Sequence, residues 1–355
     1  MREDEFGNIF IRPLYKNKFL LSEIDKNIYD EVLDLSNRFL LSSQILNNLI
    51  YDKETPNPLI DGLIKQTQIG NLKKLINHKE LLKIAKLFNE NSINYVFMKG
   101  SAINVLSDGY VRYSRDLDVL VCKQSILKAY ELLKEIGYAY LNPMVSDSAK
   151  YTNQTHHLPI LTNGEGALVE IHHRVTKKSI YKECPLTELM LNNQLIISKD
   201  QVNIKIPKIN HTIVHIILHA FKQHRLSLGP IFLYDIQFLI NACKDENQHE
   251  LIYLLGKIGL QNNYMEILNF INKKNMIDKF KIYSAQQIKI YNEKNPKKFS
   301  YLLFTRKGRL DLWKIILRKY YYHEDQYQTS IYSFKFYLAL IIILKRHIEK
   351  ILKNY

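Results

Sequence analysis

Residues 98–121 read MKGSAINVLSDGYVRYSRDLDVLV, and the order of parts in this stretch sets the architecture expected of the whole chain. Ile93–Met98 (INYVFM) runs into it as a short apolar segment rich in β-branched and aromatic residues, which predicts a strand ending at Lys99-Gly100. Gly100-Ser101 is a small, flexible turn that opens a helix near Ser101. Leu117–Val121 (LDVLV) predicts a second strand, headed by Asp116-Leu117-Asp118. Alternate residues of a strand point to the same face, so Asp116 and Asp118 project side by side. Two neighbouring carboxylates beside an apolar run repel each other unless a cation neutralises them. Mg²⁺ suits such oxygen ligands, taking one or two carboxylates plus substrate phosphates, and Mn²⁺ is the alternative ion. Two such ions can clamp the attacking and leaving oxygens of a phosphoryl displacement. The Gly100-Ser101 turn lets backbone N–H groups approach phosphate oxygens at a helix N-terminus.

Working outward, Ser125–Ile136 carries Ile126, Ala129, Tyr130 and Leu133 on one face, with Gly137 at the position where helices stop. Ala167–Val175 (ALVEIHHRV) predicts a third strand with Glu170 in its middle. Strand, helix, strand, helix, strand describes a compact α/β unit. Taken singly, an Asp-x-Asp is usually a turn, a Gly-Ser a loop, and a strand glutamate a solvent-facing residue. Their ordered combination is what points to chemistry. Lys99 and Arg112 flank the turn and the metal strand, where they either contact a triphosphate or stand as solvated surface charge; Arg115 either contacts phosphate or weakens metal binding by placing a cation nearby.

The segment resembles the DNA polymerase β-like nucleotidyltransferase superfamily, whose signature is a small turn, an Asp-x-Asp and a third acidic strand residue. More narrowly, it is similar to an uncharacterised bacterial nucleotidyltransferase family. The residues that carry this are Met98-Lys99-Gly100, Tyr110, Arg112, Asp116–Val121, His157 and Val169-Glu170-Ile171-His172. A weaker echo continues in HIILHAFKQHR and FLYDIQFLI, around His215, His219 and Asp235. Arg115, directly before Asp116, departs from the small or polar residues common there. The resemblance implies catalytic and metal-binding roles for Asp116, Asp118 and Glu170, while Lys99, Gly100, Ser101, Arg112 and Arg115 are the nucleotide-binding candidates by their place around the turn. His157, His172, His215, His219 and Asp235 are then substrate-side candidates.

Both flanks are helical in pattern. Ile24, Ile28, Val32, Leu35 and Phe39 recur at helical spacing with Ser22 as the expected cap, and a second helix is expected over about His78–Asn91, after a break at Thr55-Pro56-Asn57-Pro58. Beyond Asn210, helices are expected over His211–Gln223, Ile231–Ala242, Leu251–Ile258 and Tyr332–Leu352. His211, His215 and His219 fall on one helix face, but no cysteine or carboxylate is spaced to complete a zinc site with them.

The chain has 355 residues with 46% hydrophobic content, 24 Tyr and 15 Phe, which excludes a disordered chain. Its three cysteines show no metal or disulfide spacing. The N-terminus MREDEFGNIF lacks an apolar leader, and the run Phe336–Leu344 is too short for a membrane span of roughly 20 residues, so a cytoplasmic protein is expected. The net charge of +15 reflects either an RNA or phosphate partner or compositional drift toward Lys, Asn and Ile.

The fold expected is an α/β (α+β) nucleotidyltransferase core with a mixed sheet, over residues 91–207. An N-terminal helical segment (1–90) and a C-terminal all-α domain (208–355) flank it. The expected reaction moves a nucleoside monophosphate from an NTP, ATP among them, to an unidentified acceptor (small molecule, peptide, protein or tRNA) with release of pyrophosphate. The rival is a non-catalytic nucleic-acid- or protein-binding module that kept the fold.

Overall fold

The computed structural model describes residues 1–272 apart from 2, 16–17, 108–111, 113, 142–154, 178–179, 182, 225, 227 and 243–247. Tyr110, Cys243, the run Phe336–Leu344 and the helix expected over Tyr332–Leu352 therefore lie outside the described residues.

A helical turn α1 (Glu3–Phe6) and short strand β1 (Phe19–Leu20) lead into helices α2 (Tyr29–Phe39) and α3 (Ser42–Asn48). Strand β2 (Leu49–Ile50) then pairs in parallel with β1. The first helix starts later than expected. Asp25, not Ser22, caps the chain there, its side chain accepting from Asn27 N in a short 3₁₀ turn that precedes Tyr29. Helix α4 (Pro58–Glu90) is far longer than its expected counterpart. Asn57 Oδ1 accepts from Leu59 N and Ile60 N, and Pro58 sits at the first helical position, where its missing N–H costs nothing. Its middle, with exposed Ile69, Leu72 and Leu75 among polar residues, shows no apolar stripe, so the sequence pattern is silent there.

The core follows as β3 (Tyr95–Phe97), α5 (Lys99–Leu106), β4 (Leu117–Val121), α6 (Ile126–Glu135), β5 (Ala139–Tyr140), β6 (Leu161–Thr162) and β7 (Leu168–His172). The five strands form one mixed sheet in the order β3-β4-β7-β6-β5, in which only β4 and β7 run parallel. The sheet's period of two sorts its side chains. Tyr95, Phe97, Leu117, Val119, Val121, Val169 and Ile171 pack with Leu81, Ile84 and Phe88 of α4 and with α6. Phe88, Tyr95 and Phe97 meet edge to face at 5.4 and 5.5 Å between centroids. Val96, Met98 and Leu120 face the other way, into a second cluster shared by the N-terminal and C-terminal helices. Asp118, Glu170 and His172 belong by parity to that second face.

Helix α7 (Leu186–Asn192) leads to the hairpin β8 (Gln194–Lys199)–β9 (Val202–Pro207), whose Ile204 and Ile206 join the α4 side of the core. Its turn places Asp200 and Gln201 at φ of 48° and 63°, the left-handed geometry that two-residue hairpins need, without the glycine that usually announces it. The helices α8 (Ile209–Leu218), α9 (Ile231–Ala242), α10 (Gln248–Lys257) and α11 (Gln261–Asn272) complete the described chain. A π-helical turn, His219–Gln223, extends α8. N-terminal and C-terminal segments meet directly: Tyr234 Oη donates to Phe10 O at 3.0 Å, and Gly229 lies against the Phe39 ring. Among the described residues no helix is long and apolar enough to cross a membrane.

Candidate active site

Parallel pairing of β4 and β7 sets Asp118 opposite Glu170 and Leu120 opposite His172. Two carboxylates thus arrive on one face from strands far apart in sequence. His172 Nε2 lies 2.8 Å from Asp118 Oδ1 and 3.3 Å from Glu170 Oε2, joining both. Lys99 Nζ donates to the same Asp118 oxygen at 2.6 Å. Its backbone takes φ of 50° at the point where strand becomes helix, a left-handed conformation that costs a residue with a side chain of order 1–3 kcal/mol. The strain sits where the chain aims an ammonium back at the carboxylates.

The charges on this face set one another. Burial alone would raise Asp118, but Lys99 and His172 hold its carboxyl well below the usual range. Burial opposes charge on Lys99 and His172 in turn, and the carboxylates outweigh it, raising both. Glu170 is half-buried; burial acts to raise it, and its hydrogen bond to His172 lowers it below its ordinary value. Asp116 differs. It lies in the bend before β4, and burial, then the Asp118 charge, push it up to about 7. The tight trio of possible metal ligands is Asp118, Glu170 and His172, with ligand atoms all within 4.8 Å of one another. Asp116 stands beside this trio and outside it. Oxygen ligands suit Mg²⁺ and Mn²⁺, and the imidazole adds a nitrogen ligand more congenial to transition ions.

The other expected residues divide. Gly100 is required by packing: a Cβ there would come within 2.5 Å of Arg112 Nη1 and 2.9 Å of Ser114 Cβ. Arg112 is buried against the helical unit, with Nε 3.1 Å from Asp235 Oδ1 and Nη2 3.2 Å from Asp235 Oδ2. Those two candidates therefore meet each other. Ser101 is buried and lines a cavity beneath α4 with Asn77, Asn104 and Ser114. Arg115 is exposed and donates from Nη2 to Arg38 O at 3.1 Å.

The histidines gather more closely than sequence spacing implies. His157 bridges to His172 through the backbone, and its Nδ1 lies 2.8 Å from Leu158 O. Ring centroids of His156 and His157 lie 5.4 and 5.3 Å from that of His172. From α8, burial and then the Lys99 charge push His215 down to about 3 and hold His219 well below its ordinary value, with Asp118 also acting on both. The charges of Lys99 and Asp118 thus reach residues of this helix and its π-helical extension. His211 points elsewhere, its Nε2 3.7 Å from Glu250 Oε1 across to α10. His156, the pairing of Lys99 with Asp118, and Arg174 carried no signal in sequence spacing.

A mixed sheet bearing an acidic cluster at the register point of two parallel strands, with a strand–turn–helix before it, defines the nucleotidyltransferase class of folds. The chain belongs to the uncharacterised nucleotidyltransferase family, whose model matches residues 29–273, more than half of its length. No curated protein matches it. Among solved structures it is similar to an antigenic nucleotidyltransferase-like protein from Paracoccidioides brasiliensis, at 15% identity and a TM-score of 0.36, over 54% of this chain and 91% of that one. The antibiotic-resistance factor ANT(2'')-Ia matches at 10% identity and a TM-score of 0.35, over 54% and 96%. JHP933 from Helicobacter pylori matches at 16% and 0.33, over 65% and 97%.

Proposed function

We propose that the chain transfers a nucleoside monophosphate from an NTP to an acceptor nucleophile, releasing pyrophosphate. The observation that carries this is the pairing of Asp118 with Glu170 on one sheet face, with Lys99 and His172 converging on them. Asp118 and Glu170 hold a divalent cation, Mg²⁺ or Mn²⁺, with Asp116 completing the charge around it. When bound, that cation neutralises phosphate oxygens and lowers the barrier to in-line displacement at the α-phosphorus. The acceptor oxygen or nitrogen forms the new bond to phosphorus, and the bond to the bridging α–β oxygen breaks as pyrophosphate leaves.

The chain's own groups position this reaction. His172 keeps the Asp118 and Glu170 carboxylates anionic and close, which is the form a ligand or base needs. Glu170 is assigned to take the proton the acceptor loses, a role requiring only a carboxylate within reach. Lys99 neutralises Asp118 in the resting chain and is placed to turn to a phosphate oxygen once another cation takes over that carboxylate. Neutral His215, buried, and His219, half-buried, wall the face without adding charge.

One observation favours the second reading, a binding module without catalysis: Lys99 already supplies a cation to Asp118. Incubating the full chain with α-labelled NTPs, Mg²⁺ or Mn²⁺ and cell extract separates the two. Label should move to an acceptor only with the divalent ion, and Asp118→Asn should abolish it. Nucleotide binding by calorimetry that needs no metal, with no label transferred by any NTP, would leave the binding module standing.

A further inference from the structure

After β7 the chain holds a cation that the carboxylate face does not use. Residues 173–176 leave the sheet in a series of bends, pinned by hydrogen bonds from His173 N and Arg174 N to His156 O at 3.0 and 3.4 Å. Arg174 Nη2 donates to Thr155 O at 2.9 Å, and His173 Nε2 lies 2.8 Å from the same oxygen. A carbonyl has two lone pairs, so this one is filled. Arg174 Nε and Nη1 are buried and have no hydrogen-bond partner among the described residues. One N–H on Nε and two on Nη1 thus lack an acceptor. The Thr176 hydroxyl, on a residue 1% exposed, is likewise buried without a partner.

Burial lowers the Arg174 guanidinium from its ordinary value. His173 is pushed down to about 4 by burial, and the charges acting on it come from Arg174, Lys123 and His172. Those acting on buried His156 come from His172, His157, Lys99 and Lys177. Arg174 as a whole is half-buried, but each buried N–H without an acceptor costs about 1–3 kcal/mol. A guanidinium in that state fits a ligand that brings oxygen acceptors and negative charge together, because its fork matches phosphate and carboxylate geometry.

We infer that Arg174 is the anchor of an oxyanion-binding site, taking a phosphate-type group of a substrate at the edge of the candidate active site. Two connections place it there. Arg174 follows two residues after His172 on the same chain segment, and the next residue, Val175, receives a hydrogen bond at its carbonyl from Gln223 Nε2 at 2.7 Å. Gln223 ends the π-helical turn that carries His219 toward the carboxylates. The site therefore lies where the end of β7 meets the π-helical extension of α8. The oxyanion belongs either to the NTP or to the acceptor. That assignment rests on the nucleotidyltransferase reading, whereas the anion site itself does not.

The test uses the full-length chain and inorganic phosphate without divalent ions, read by calorimetry and thermal melting. Phosphate should bind and raise the melting temperature of the wild type and of Asp118→Asn alike. Arg174→Gln should lose this response. Arg174→Lys keeps the charge and folds if glutamine does not, and should bind phosphate at least about tenfold more weakly, because an ammonium cannot reproduce the fork. Phosphate binding by either variant at wild-type strength, or none by the wild type, overturns the inference. Repeating the titration with saturating ATP and Mg²⁺ separates the sources: a response that persists assigns the site to the acceptor, and one that disappears assigns it to a nucleotide phosphate. Label transfer lost in Asp118→Asn with phosphate binding intact tests the catalytic reading alone. Arg174 then stands or falls separately.

Discussion

Asp118 and Asp116 are two positions apart, yet they answer to different physics. Asp118 is buried between Lys99 and His172 and is the counter-charge of both. Removing it leaves two cationic groups facing each other, a change that costs roughly 3–5 kcal/mol when a buried pair loses one partner. Asp118→Asn should accordingly lower the metal-free melting temperature at pH 7, and an unchanged melt would refute the pairing. Asp116 carries the opposite sign. Its folded-state pKa, about 7, lies above the ordinary 3.8, so the folded chain keeps a proton that the unfolded chain has released. Its contribution therefore erodes stability as pH rises from about 4 to about 7. Without metal, Asp116→Asn should melt with the wild type near pH 4 and above it at pH 8. Melting scans at the two values decide, and a variant less stable than wild type at pH 8 would count against the burial of that charge.

Among elements, the junction of β3 with α5 is the most constrained. Gly100 was legible as a turn residue, but the reason for it was not, because Arg112 reaches it from a loop and Asp235 holds Arg112 from a helix distant in sequence. Gly100→Ala would push a methyl into the guanidinium, costing about 1–3 kcal/mol of the kind seen in overpacked interiors. Denaturant unfolding should show that loss, and wild-type stability would mean that Arg112 has room to move. The strands β3, β4 and β7 and the helix α6 were legible because each is a short bounded apolar pattern: β-branched and aromatic runs ending at Lys99-Gly100 or headed by Asp116-Leu117-Asp118, and a stripe through Leu133 that stops at Gly137. The hairpin β8–β9 was not, since Asp200-Gln201 takes a glycine-like turn without glycine. The true start and length of α4 were hidden by its unstriped middle. Within the site, the carboxylates could be read, whereas the contacts of Lys99 and His172 depend on how β4 and β7 register, which no local spacing records.

For the whole molecule, Arg112, from the loop before β4, pairs with Asp235 of α9 and so ties the sheet unit to the C-terminal helices. The N-terminal segment packs into the same core cluster as the C-terminal helices, where Gly229, at φ of 75°, leaves room for the Phe39 ring. This arrangement makes the helical unit part of the structure around the site. Asp235→Ala should destabilise the whole by about 3 kcal/mol, by taking the carboxylate from a buried guanidinium. It should also speed proteolytic cleavage near Gly229-Pro230 relative to wild type. A variant that melts and resists protease like the wild type would show that the sheet unit and the helices hold together without that pairing.

The register of β4 on β7 has a further consequence in time. His172 and Asp118 are separated by 54 positions, and nothing shorter-range brings them together. A slip of one residue would turn Glu170 into the apolar core and send Ile171 to the open face. The chain must close that long loop, in one register, before any of the contacts repay the entropy. Helices such as α4 can gather locally well before then. A nascent or partly folded chain consequently presents neither a paired acidic site nor a half-strength version of it, and competence arrives in one step, late, with the central strand pair.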